Sequence, residues 1–303
     1  MDQKILSMQK IIFLFATCLF QYASAQDSLL NILEDSSNAT GTFPVKATFK
    51  AIHIINSQTV ESPAQGDLNF IIMHRFGKLN DGAYNFFGLD NASIRLGLDF
   101  GITDRLGIGI GRSSLDKTFD GYLKYKLVRQ TQGTKSFPVS LSLLGTLTNY
   151  TLKFQDKPFL NAKYRTAYST QLLIARKFTS SFSLQVSPTW LHYNLVPTVL
   201  DNNDVFATMI GGRLKFNKRM GITFEYNYLP SGQVESINVH NSFSVGWDIE
   251  TGGHVFQLVF SNSQGMVESH YIARTPGEWG EGDIYFGFNV NRNFSLGKNR
   301  KRR

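Results

Sequence analysis

Past residue 40 the chain alternates apolar and polar side chains with a period of two, run after run, and most runs extend over 9–14 residues. Such alternation specifies β-strands with two unlike faces. Ile94, Leu96, Leu98 and Phe100 alternate with Arg95, Gly97 and Asp99. Leu123, Tyr125 and Leu127 alternate with Tyr122, Lys124 and Lys126. Phe243, Val245, Trp247 and Ile249 oppose Ser244, Gly246, Asp248 and Glu250. Strands of globular proteins average ~5–6 residues, whereas a tilted membrane-crossing strand needs ~9–11. No apolar run reaches the ~20 residues of a transmembrane helix outside the extreme N-terminus or within it. In lipid the backbone must pair with itself, so a strand-built membrane protein has to be a closed barrel.

The connections alternate too. Short turns fall at 102–104, 179–181, 217–220 and 251–253, and longer polar loops near 77–91, 151–163, 194–204, 229–240 and 263–281. Short turns on one rim and long loops on the other describe an outer-membrane barrel. Counting strands back from the last gives segments near 67–76, 92–101, 105–112, 118–129, 137–150, 164–178, 182–193, 205–216, 220–229, 241–250, 254–262 and 283–296. The predicted fold is therefore all-β: a transmembrane antiparallel up-and-down β-barrel of about 12 strands. Fourteen is the alternative if Val45–Ile55 is an added strand with a partner; otherwise that piece tucks against the barrel.

The ends carry separate signals. Lys4 and Lys10 precede the apolar run Ile11–Phe20, and Ala23-Ser24-Ala25 offers a cleavage site between Ala25 and Gln26. Residues 1–25 thus read as a signal peptide, 26–44 as an N-terminal periplasmic segment with a helical turn or two over Asp27–Asp35, 45–296 as the barrel and 297–303 as a basic tail. The whole chain has a net charge of +8. Loss of Lys4, Lys10 and Asp2 with the leader lowers it to +7, of which Lys298, Arg300, Lys301, Arg302 and Arg303 supply five. The basic balance is a property of the tail, not a nucleic-acid face. One Cys excludes a disulfide framework and a thiolate metal cluster.

Several motifs in the first third carry a resemblance. They are His74-Arg-Phe-Gly77, Gly88-Leu-Asp90, Arg95-Leu-Gly97, Gly109-Ile-Gly111-Arg112-Ser-Ser114 and Lys117-Thr-Phe-Asp120-Gly-Tyr-Leu-Lys124-Tyr125. The stretch 45–130 resembles an uncharacterised family of membrane-bound β-barrel proteins of Bacteroidota, a domain of unknown function. The remainder agrees by strand pattern only. The resemblance implies location and fold, and no substrate.

If the apolar sets face lipid, the inward set holds Arg75, Arg95, Asp99, Asp120, Lys124, Lys126, Arg213, Lys215, Glu225, Asp248 and Glu250. On the lipid face an Arg or Lys near mid-membrane would cost ~2–4 kcal/mol. Arg75, Arg95, Asp99, Asp120, Lys124 and Lys126 form the candidate lumen cluster. For Arg95, Asp99, Asp120 and Lys124 an ion-paired filling of the lumen is favoured over a pore lining or ligand site. Gly107-Ile-Gly-Ile-Gly111 lacks the spacing of a dinucleotide loop; it reads as a strand with a bare inner face that leaves room for Tyr122 or Arg95. The six His residues show no metal-ligand spacing, and Ser187 and His192 have opposite parity on one strand. No catalytic, cofactor or metal site is expected, and the protein reads as not an enzyme. Trp190, Tyr193, Tyr226, Tyr228, Trp247, Tyr285 and Phe294 are candidates for interfacial girdles.

The functional expectation is an outer-membrane barrel of a Gram-negative cell, exported by its signal peptide. A conduit for small solutes stands first, and a closed accessory barrel acting through loops or tail stands second. Outer-membrane lipid, small solutes and envelope proteins are the expected partners, and nucleic acid is not. A secreted soluble β-sandwich or lipocalin-like binder is the remaining alternative.

Overall fold

The computed structural model describes residues 41–251 and 253–296. The expected leader with its Ala25/Gln26 cleavage site, the turns over Asp27–Asp35 and the tail 297–303 lie outside the described residues. The alternating runs form twelve strands. We number them β1 (Asp67–Lys78), β2 (Ala92–Gly101), β3 (Leu106–Ser113), β4 (Thr118–Val128), β5 (Ser140–Tyr150) and β6 (Thr166–Lys177). They continue as β7 (Phe182–Tyr193), β8 (Asp204–Lys215), β9 (Met220–Tyr228), β10 (Ser242–Thr251), β11 (His254–Ser261) and β12 (Tyr285–Ser295). Each pairs antiparallel with its sequence neighbours, and β12 returns to β1 to close the barrel. The closing seam runs from Lys78↔Tyr285 to Asp67↔Ser295, with one irregularity between Tyr285 and Gly287.

All twelve segments predicted from the pattern are present, and among the described residues no thirteenth or fourteenth strand joins the wall. The alternation fixes which face each residue takes. Leu96, Leu98, Ile110, Leu123, Leu147, Ile222 and Trp247 are exposed on the outside. Arg95, Asp99, Lys124, Ser142, Gln185, Glu225 and Asp248 are buried inside. Among the expected girdle residues, Trp190, Tyr228, Trp247 and Phe294 face outward, whereas Tyr285 is buried. Tyr193 also points inward: its hydroxyl donates to the carbonyl of Ser269 at 2.7 Å. The connection between β4 and β5, residues 129–139, is longer than the four-residue turns after β2, β6 and β8.

The segment 45–66, which includes the piece Val45–Ile55 that the pattern leaves as an added strand or a segment tucked against the barrel, adds no strand to the wall. It occupies the lumen. Beginning beside Gln130, where Val45 N–H donates to its carbonyl at 2.9 Å, it rises into the barrel and turns back. The turn is closed by Thr59 N–H to Ile52 O (2.7 Å) and Ile54 N–H to Ser57 O (2.8 Å). It then descends to the rim, where Gly66 N–H meets Gly101 O at 2.9 Å, and continues into β1. Phe49, Ile54, Ile55 and Val60 pack against Leu144, Leu173, Met209 and Val259, four apolar side chains that the wall turns inward. From the opposite end the long connection between β11 and β12 folds down into the mouth. It carries a short helix, α1 (Glu268–Tyr271), and buries Tyr271, Ile272 and Ala273 against Ala167, Leu191, Val205 and Ala207. Where the two insertions approach, a void of about 10 Å³ lies between His53, Asn56 and Gln58 on one side and Met266, Val267 and Glu268 on the other, room for no more than a single water molecule.

The glycines of β3 make this filling fit. A Cβ on Gly109 would come within 2.1 Å of the Tyr122 ring, and one on Gly111 within 2.5 Å of the Arg95 guanidinium and 2.7 Å of Asp120. The bare inner face read from the sequence is therefore space that those three side chains occupy. Gly109→Ala and Gly111→Ala should each lower stability by about 1–3 kcal/mol, the usual cost of overpacking. Gly145→Ala, where a Cβ meets nothing within 4 Å, should stay within about 0.5 kcal/mol of the parent. Thermal midpoints of the detergent-solubilised protein would compare them.

Candidate functional site

Two regions of the barrel concentrate chemistry: the lumen with its inserted segment, and the mouth at the long-loop end. In the lumen the six candidate residues all face inward, as their parity requires, but they do not form one ion-paired group. Arg95 and Asp120 do pair, through two hydrogen bonds, one of them Nε to Oδ1 at 2.9 Å. Asp99 instead accepts from Asn69 Nδ2 at 2.9 Å. Lys124 Nζ donates to the carbonyls of Thr59 (2.9 Å) and Glu61 (2.6 Å). Arg75 donates to Asn289 Oδ1 (2.9 Å) and to Asn56 Oδ1 (2.8 Å). Lys126 lies 3.9 Å from Glu61. Three of the six, Arg75, Lys124 and Lys126, thus hold the inserted segment.

Glu225 takes three backbone donors at once. Its Oε2 accepts the backbone N–H groups of Ile55 (3.2 Å), Asn56 (3.0 Å) and Ser57 (3.0 Å) at the tip of the turn. These are donors no strand can satisfy, and a carboxylate there replaces the lost pairing. Gln185 accepts from Val60 N–H (3.0 Å) and donates to Gln58 O (2.8 Å). Asn289 and Gln257 donate to the carbonyls of Ile55 (2.9 Å) and Ile54 (2.8 Å). Near the short-turn rim Arg213 binds Asp248 at 2.7 Å and also Glu250. The inserted segment is thus bound by backbone capture from β4, β5, β7, β9, β11 and β12, and by the side-chain bond of Arg75 on β1 to Asn56.

Glu268 of α1 is buried in the lumen, with Gln171 Nε2 at 3.3 Å. Burial pushes its carboxyl up to about 7, and Asp120 adds to the rise while Arg95 opposes it. An acid raised in the folded state favours the protonated form. Its contribution is complete below the ordinary carboxylate range and is lost as pH rises towards 7. Glu268→Gln should therefore leave the thermal midpoint nearly unchanged at pH 5 and raise it at pH 8. A midpoint difference that does not grow with pH would contradict this.

The mouth holds a cavity of about 550 Å³ between the loops 151–165, 194–203 and 229–241, floored by α1 and Tyr193. Its wall is largely apolar: Phe154, Phe159, Leu195, Val196, Val234 and Ile237 contribute. The acids beside it are already engaged. Asp116 pairs with Arg274 at 3.0 Å and lies 3.4 Å from His270. The His270 hydrogen bond, with Arg274, holds the Asp116 carboxyl down to about 2. Asp201 accepts the N–H groups of Glu235 (2.7 Å) and Ser236 (2.9 Å) and folds the 229–241 loop onto its own turn. The sequence marks these segments only as long polar loops; nothing in a period-two pattern says that four of them meet around one space. Leu144, Leu173, Met209 and Val259 have the parity of the polar residues on their strands, but the pattern says nothing of the apolar segment they meet inside.

His192, singled out in the sequence with Ser187, pairs instead with Asp204 on the adjacent strand at 2.8 Å, and Trp190 Nε1 donates to the same carboxylate at 2.9 Å. This group is on the outer surface, whereas Ser187 is buried in the lumen. Among the described residues no three His, Cys, Asp or Glu side chains gather as metal ligands, and no helix is long and apolar enough to cross a membrane.

The profile of a family described as "Membrane bound beta barrel domain (DUF5777)" matches residues 49–294, well beyond the motif-bearing first third. No curated protein matches the chain. Among solved structures it is similar to NanC porin at 7% identity, over 75% of this chain and 98% of that one, with a TM-score of 0.47. It is similar to KdgM porin at 10% identity, over 74% and 99%, with a TM-score of 0.45. An outer membrane channel from Pseudomonas putida F1 is 14% identical over 77% and 97%, with a TM-score of 0.45.

Proposed function

This chain belongs to the membrane bound beta barrel domain family DUF5777, and we propose that it is an outer-membrane barrel closed to solute flow, acting through the vestibule at its long-loop end. The leader-like N-terminus, the short and long rims and the outward apolar belt support the outer membrane as its location. One observation carries the closed reading. The wall presents Leu144, Leu173, Met209 and Val259 to the lumen, where they form a core with Phe49, Ile54, Ile55 and Val60. An inward apolar belt is costly beside water and favourable beside a packed segment. The wall is thus built for its filling, and the space open to a ligand is the mouth.

A gated small-solute conduit is the second reading, favoured by one feature. The inserted segment enters and leaves by the same rim, so its withdrawal would bare Arg75, Lys124, Gln185 and Glu225 along a polar path. Planar-bilayer recording separates the two. The full mature chain should insert without discrete current steps, and a variant lacking residues 45–61 should conduct if it shows the heat-modifiable gel migration of a folded barrel. Steps of uniform size from the full chain would establish the conduit and remove the closed reading.

A further inference from the structure

The vestibule is an apolar space with an uncompensated positive edge. Of the cations that line it, Arg274 is bound to Asp116, and Asp201 spends its charge on backbone N–H groups. Arg165 and Lys157 remain. Arg165 is held by neutral groups: Nε donates to Leu160 O at 2.8 Å and an Nη to Leu152 O at 2.6 Å, with the guanidinium 5.6 Å over the Tyr150 ring. Lys157 sits over Phe154 at 5.7 Å. Among the described residues neither has a carboxylate within ion-pair distance. Two carbonyls and a ring position the guanidinium but do not neutralise it, and its planar fork suits a carboxylate. Beside these cations the cavity presents an apolar surface from Phe154, Phe159, Leu195, Val234 and Ile237. A volume of about 550 Å³ lies within the range of small-molecule sites.

We propose that this vestibule binds a monoanionic amphiphile, a small molecule with an apolar body and one terminal carboxylate. The carboxylate meets Arg165, with Lys157 at the outer edge, and the body lies along Phe159, Leu195, Val234 and Ile237. This rests on the reading of the mouth as the working face. Lumen closure is a separate matter, since the floor of the site is α1 and not the inserted segment.

The probe is 4-phenylbutyrate, which is soluble enough to avoid confusion with bilayer partitioning. Binding to the full mature chain in nanodiscs is followed by titration calorimetry, with empty nanodiscs subtracted. One saturable site per chain is expected, with affinity falling at least tenfold for 4-phenylbutanol, which lacks the charge. Arg165→Gln should weaken 4-phenylbutyrate at least tenfold. Ile237→Glu, a surface change at the rim that leaves the Arg165 carbonyl clamp intact, should do the same by placing a second anion in the site. Lys218→Gln, at the opposite rim, should have no effect. Absence of saturable binding, or equal binding of acid and alcohol, overturns the proposal. A conducting protein that still binds the acid would overturn lumen closure and leave the site standing; a closed protein that binds nothing does the reverse.

Discussion

The pairing of β12 with β1 is the contact on which the rest depends. Eleven strand pairs could form an open sheet; the twelfth, from Asp67↔Ser295 to Lys78↔Tyr285, removes both edges. In hydrocarbon an unpaired N–H or C=O has no water to turn to and costs several kcal/mol. A sheet with long edges is not an available state there. Closure also sets the direction of every side chain, because a strand whose backbone is committed on both sides can only point residues in or out. Shifting the register of one strand by a residue would send Arg95, Asp99 or Glu225 into lipid.

A closed wall of twelve strands encloses space that has to be occupied by water or by protein, and this chain uses its own residues. The division of labour inside follows from chemistry. Irregular backbone in the turn at 52–59 has donors and acceptors that no ladder satisfies, so the wall supplies Glu225, Gln185, Lys124, Gln257 and Asn289 to meet them. Around those contacts, apolar groups from both partners exclude solvent. The charges of the lumen are accordingly not a separate pore lining. Lys124 and Glu225 are the counterparts of main-chain groups 63–65 and 168–170 residues away in sequence.

The mouth obeys different rules. Its loops are held by local capture, as with Asp201 on the 229–241 loop and Arg165 on the carbonyls of its own loop, and they meet only because the barrel brings their ends to one rim. Function placed on loops above a rigid wall is a common division in β-barrels and other scaffolds. Here it leaves an apolar recess next to a cation whose local partners are neutral.

Much of the wall was legible from one-dimensional pattern, since alternation is a local property and a strand's two faces see two different solvents. The twelve strands, the inward charges and the bare glycines of β3 belong to that class. Each is decided by a residue and its neighbours two positions away. The location of residues 45–66 is not: Phe49, Ile54 and Val60 look like an additional strand or a tucked segment until the wall exists to receive them. The partners of Lys124 and Arg75, the segment against which Leu144 and Met209 pack, and the meeting of four loops around Arg165 likewise depend on distances between residues far apart in the chain. Local sequence determined that this protein is a membrane barrel because the bilayer penalises every alternative backbone arrangement. What fills that barrel and what opens above it were decided only in three dimensions, where each contact joins strands and loops that no period can relate.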